Sequence, residues 1–116
     1  MQYHSITATF SVEGTARADI MLTTSRAYYR FATADTCEEG EIPFTQLEEV
    51  ASFINQALSS ASNNLMPTDV SCSITLTNDN EKIDYNNSCI SHSAYNSLIN
   101  IFAQISEEFI FIRGFK

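Results

Sequence analysis

The strongest nucleophile candidate in this sequence is Cys89-Ile90-Ser91-His92, which sets a thiol and an imidazole three residues apart. The thiolate is the attacking form, and a helix N-terminus or a neighbouring imidazolium lowers a thiol's pKa. The pair stands where a strand pattern gives way to a helix pattern, which suits that chemistry. A nucleophilic site also needs a group that orients the base and donors for the oxyanion. The chain has only two histidines, His4 and His92, and its three glycines, Gly14, Gly40 and Gly114, form no glycine-rich turn. The pair therefore reads as a half-buried thiol beside a surface histidine, and enzymatic activity is not expected.

Metal and phosphate chemistry find less to work with. Cys37, Cys72, Cys89, His4 and His92 are scattered, without the closely spaced pair from which a zinc site is built. Asp35, Glu38, Glu39 and Glu41 lack the alternating acids and central glycine of a calcium loop. No Gly-x-Gly or Walker pattern is present to cradle a phosphate. Glu48-Glu49 and Glu107-Glu108 are adjacent along the chain and point apart, so neither forms an acid/base pair. No metal and no cofactor are expected.

Recognition of a partner is what the residue types favour. The formal charge of the 116-residue chain is −8, against the basic balance a nucleic-acid binder needs. The charge is concentrated: residues 31–81 hold no Lys or Arg, but contain Asp35, Glu38, Glu39, Glu41, Glu48, Glu49, Asp69, Asp79 and Glu81. Six of these fall within 35–49, read as an acidic loop followed by the first turn of a helix. A field of one sign speeds encounter with a partner of the opposite sign. Just upstream, Tyr28 and Arg30 share one face of a strand, and Tyr and Arg are enriched among interface anchors.

The expected function is therefore a small acidic inhibitor that binds a basic protein. An immunity protein that neutralises a nuclease-type toxin fits best. Asp35, Glu38, Glu39, Glu41, Glu48, Glu49, Tyr28 and Arg30 would form the contact surface and lie where the target's phosphates bind. A phage-encoded inhibitor of a nucleic-acid-binding defence complex is an alternative with the same chemistry. An assembly or chaperone-like module that binds through an apolar strand edge is another, with a homodimer through the C-terminal strand. Direct nucleic-acid binding and membrane association are not expected.

The elements that must position these residues follow from periodicity. Residues 4–13 alternate, with His4, Ile6, Ala8, Phe10 and Val12 on one side and Ser5, Thr7, Thr9, Ser11 and Glu13 on the other. Period two is a half-buried strand. After Glu13-Gly14-Thr15, Ala16, Ala18, Ile20 and Leu22 alternate with Arg17, Asp19 and Met21 in a second strand. Past Thr24-Ser25, residues 27–34 form a third, with Tyr29 and Phe31 opposite Tyr28 and Arg30. A helix then begins at Thr45, whose capping box with Glu48 precedes the stripe Leu47, Val50, Ala51, Ile54, Ala57, Leu58 and Ala61. Ser62-Asn63-Asn64 and Pro67 end it. Val70, Cys72, Ile74 and Leu76 make a fourth strand, Asn78-Asp79-Asn80 a turn and 82–86 a fifth strand. A second helix starts near Ser91 or Ser93, and Phe109 to Ile112 reads as a last strand, apolar on both faces.

The order β-β-β-α-β-β-α-β is not a repeated β-α unit, which predicts an α+β fold. One largely antiparallel, twisted sheet with both helices on a single face is expected, as one domain over residues 1–116. The opening residues lack a basic segment and a long apolar run. The odd count of three cysteines has no close pairing. Both point to a cytoplasmic protein with reduced thiols.

Overall fold

The computed structural model describes residues 3–59, 70–86 and 90–115. The predicted meander is present as β1 (Tyr3–Val12), β2 (Ala16–Thr23) and β3 (Arg26–Thr33). In the first turn the Thr15 N–H donates to the Val12 carbonyl at 3.0 Å. Gly14 takes a φ of 73° there, a conformation that costs glycine nothing. In the second turn the Thr23 hydroxyl donates to the Arg26 carbonyl and accepts from the Ser25 and Arg26 N–H groups.

The acidic stretch expected to be a loop is instead largely a strand, β4 (Cys37–Pro43), antiparallel to β3. The reason lies in the turn. Thr33 N–H donates to the Thr36 carbonyl at 2.8 Å, and the Thr33 hydroxyl accepts from the Asp35 and Thr36 N–H groups. The chain thus reverses over Ala34 and Asp35, as it does over Thr24 and Ser25. Glutamates are poor strand formers, but cross-strand partners on β3 override that preference here.

The helix after it, α1 (Leu47–Ser59), starts two residues later than Thr45. The Phe44 N–H donates to the Ser25 carbonyl, which keeps the chain extended past β4. Gln46 then accepts the bond from the Val50 N–H at 3.0 Å. Glu48 forms no capping box with Thr45; its carboxylate accepts from the Tyr3 N–H at 2.8 Å. The expected helix terminators Ser62-Asn63-Asn64 and Pro67 lie outside the described residues, as do Asp69 and Cys89.

β5 (Val70–Asn78) and β6 (Lys82–Tyr85) form a hairpin at the predicted turn. The Asn78 side-chain oxygen accepts from the Asn80 and Glu81 N–H groups at 2.8 and 2.9 Å. Ser91 caps α2 (His92–Ala103), its hydroxyl accepting from the Ala94 N–H at 3.2 Å.

The last element is not a strand. Glu107–Phe115 is a 3₁₀ segment, and it buries Phe109, Ile112 and Phe115. These positions recur at three, the period of a 3₁₀ helix, so the run is apolar because it is packed under the sheet. The Tyr95 hydroxyl donates to the buried Phe115 carbonyl, fixing the end of the segment to α2. The C-terminal strand edge, and the homodimer expected through it, therefore have no strand to rest on.

The six strands form one antiparallel sheet in the order β4-β3-β2-β1-β5-β6. One face is packed. Rows such as Cys72, Phe10, Ala18 and Phe31, or Leu76, Ile6, Leu22 and Ala27, face Val50, Ile54, Leu98 and Phe102 of the helices. Burying each large apolar side chain contributes about 1.5–3 kcal/mol. His4 was expected on this face, but the register shifts between Tyr3 and Ser5. The shift leaves His4 exposed and paired with Asp79.

Candidate functional site

Among the described residues, α1, α2 and the 3₁₀ segment cover one face of the sheet and no element covers the other. Antiparallel register sets its side chains in rows. One row runs Asp84, Thr75, Thr7, Met21, Tyr28, Glu41 across the whole sheet. The next runs Ser73, Thr9, Asp19, Arg30, Glu39. Tyr28 and Met21 stand side by side at 39% and 41% exposure, two of the four large apolar residues left exposed among the described residues. A concavity of about 560 Å³ opens here, lined by Thr7, Asp19, Met21, Tyr28, Arg30 and Glu39.

The charges on this face are ordered. The Arg17 guanidinium donates to both oxygens of Asp19, at 3.0 and 3.2 Å, and the Thr9 hydroxyl adds a bond at 2.9 Å. Arg30 stands between Asp19 and Glu39 and donates from Nε to the Cys37 sulfur at 3.4 Å. Cys37, then Glu39 and Asp19, hold the Arg30 guanidinium above its ordinary range. On β2 the Asp19 carboxylate is thus matched by Arg17, whereas β4 carries Glu38, Glu39 and Glu41 and no cation.

Of the eight candidate contact residues, four come together here: Tyr28, Arg30, Glu39 and Glu41. The others do not. Asp35 sits in the β3–β4 turn. Glu38 pairs with Phe31 and so points to the helix side. Glu48 and Glu49 occupy the first turn of α1, where negative charge suits the helix dipole. The acidic segment is therefore divided between both faces of the molecule. Met21 and Asp19 were missed as site residues. A two-residue turn at Thr24-Ser25 fixes their pairing with Tyr28 and Arg30, so hairpin register was the signal that could have found them.

On the packed side, Tyr29 and Phe31 meet Phe109 and Phe111, with Phe31 and Phe111 stacked at 4.8 Å. The Tyr29 hydroxyl donates to Glu108 at 3.5 Å. Partial burial, then Glu108 and Glu38, push this phenol up from its ordinary value, so it remains a neutral donor.

Chemical groups are otherwise dispersed. Among the described residues no three of His, Cys, Asp and Glu gather to hold a metal ion. Cys72 is buried, and burial pushes its thiol up to about 12. Cys89, the nucleophile candidate, lies outside the described residues. Among the described residues no helix is long and apolar enough to cross a membrane. Compared with models of known protein families and with curated proteins, the sequence matches none.

Proposed function

We propose that this protein is a small inhibitor that docks its open sheet face, at the β3–β4 end, against a basic protein. One observation carries this reading. Tyr28 and Met21 are exposed side by side on a face that no element among the described residues covers, with Glu41 and Glu39 next to them. An aromatic anchor with an arginine neighbour inside a polar rim is the composition of binding hot spots. The carboxylates of β4, a strand with no cation of its own, favour a partner rich in Lys and Arg.

The mechanism is occlusion. A nuclease-type toxin or another nucleic-acid-binding enzyme holds phosphates with cationic side chains, and Glu39 and Glu41 would occupy that field in their place. Tyr28 and Met21 would supply apolar contact, with Arg30 standing between Asp19 and Glu39 and bonded to the Cys37 sulfur. An immunity protein is the form of inhibitor this chemistry suits best.

The test is the salt dependence of binding to basic nuclease domains, including the products of adjacent genes. Attraction between exposed charges is screened over about 8 Å at physiological salt, so the association rate should fall steeply as salt rises. Reversal of Glu39 and Glu41 to lysine should abolish that dependence. Binding that is insensitive to salt and to the reversal would refute the reading.

A further inference from the structure

We infer that the open edge of β4 receives an extended, basic segment of the partner as a seventh strand, an inference that rests on the basic-partner reading above. β4 ends the sheet, and among the described residues only β3 pairs with it. The bonds from Phe44 N–H to the Ser25 carbonyl and from Thr33 N–H to the Thr36 carbonyl bracket the β3–β4 ladder. Antiparallel bonding alternates residue by residue. Residues 38, 40 and 42 therefore bond to β3, and the main-chain groups of Cys37, Glu39 and Glu41 point out from the sheet. All three residues are exposed. They offer roughly 13 Å of edge, at about 3.3 Å per residue. Pro43, which has no N–H, ends the run.

The side chains along this edge select the occupant. Glu39 and Glu41 flank it on the open face and Glu38 on the other, with no cation on the strand. A second copy of this chain is a poor fit: antiparallel pairing centred on Gly40 would set Glu39 and Glu41 of the two copies against each other. Like charges directly opposite destabilise a pair. A strand with Lys or Arg at alternate positions would instead place a cation opposite Glu39 and Glu41. The same charges that keep acidic and identical edges away thus admit a basic one.

The test uses the full chain and a capped peptide of alternating lysine and valine. Amide hydrogen exchange is followed by NMR at Cys37, Glu39 and Glu41. A control peptide carries the same charges but is N-methylated along its backbone, so it cannot donate to the edge. The unmodified peptide should slow exchange of the Glu39 and Glu41 amides about tenfold or more at saturation, and the methylated one should not. No slowing by the unmodified peptide, or equal effects from both peptides, would overturn the edge assignment. Dependence of whole-partner affinity on Tyr28 is measured separately, so the open-face reading can stand where the edge assignment fails.

Discussion

Tyr29 lies across Gly40 on the neighbouring strand, so close that a Cβ at position 40 would stand 2.7 Å from the tyrosine hydroxyl oxygen and 2.9 Å from its ring. The ring cannot simply move away, because Phe109 and Phe111 meet it at 5.5 and 5.9 Å. Gly40 thus makes room for the aromatic cluster that anchors the C-terminal segment, and β4 is held in the sheet from below. Gly40→Ala should destabilise the fold by about 1–3 kcal/mol, the usual cost of overpacking. In a Tyr29→Leu background the same change should cost much less. A double-mutant cycle by chemical denaturation measures the difference.

Much of this architecture is legible in the sequence because one face of each strand is buried. Ile6, Ala8 and Phe10 alternate with Ser and Thr, and Leu47, Val50, Ala51 and Ile54 recur at helical spacing, so pattern and packing agree. Two elements escape this logic. β4 is an edge strand whose side chains are mostly exposed carboxylates, so it has no apolar alternation to read; only Thr33 and Thr36 announce the turn before it. Phe109 to Phe115 is apolar enough for a buried strand, and its spacing of three distinguishes it only once Phe115 is counted. The site was half legible for a related reason. Tyr28 and Arg30 were visible by period two, whereas Glu39 and Glu41 joined them only through a strand the pattern hid.

The 3₁₀ segment is tied down at Phe115 by the bond from the Tyr95 hydroxyl to the Phe115 carbonyl. Tyr95→Phe keeps the ring beside Phe10 but leaves a buried carbonyl without that donor. The expected loss is about 1–3 kcal/mol. Equilibrium unfolding should show it, and amide exchange over residues 107–115 should quicken more than in β1.

The two described thiols should behave oppositely. Cys37 is exposed on the β4 edge, and Cys72 is buried on the packed face of β5. Peptide mapping after alkylation of the native protein should find Cys37 modified and Cys72 protected. Burial raises the Cys72 thiol from 9.0 to about 12 in the folded state. A group with a raised folded pKa stabilises fully below its unfolded pKa. Its contribution should therefore be intact below pH 9.0 and lost as pH rises to about 12. Cys72→Ala should flatten that alkaline decline in denaturation midpoints, and an unchanged slope would contradict the assignment.

Substitutions on the open face should separate binding from folding. Met21 and Tyr28 contact little of the core, so Met21→Ala should shift stability by no more than about 0.5 kcal/mol. Glu39→Lys with Glu41→Lys should leave the circular dichroism spectrum intact while removing the salt dependence of association.

The most direct measurement is the affinity of the Tyr28→Ala protein for the basic partner, beside its thermal stability. Loss of a hot-spot anchor of 2 kcal/mol or more corresponds to weakening by about thirtyfold or more. The predicted result is that loss of affinity with an unchanged unfolding midpoint. Wild-type affinity in the Tyr28→Ala protein would contradict the assignment of the open face as the binding site.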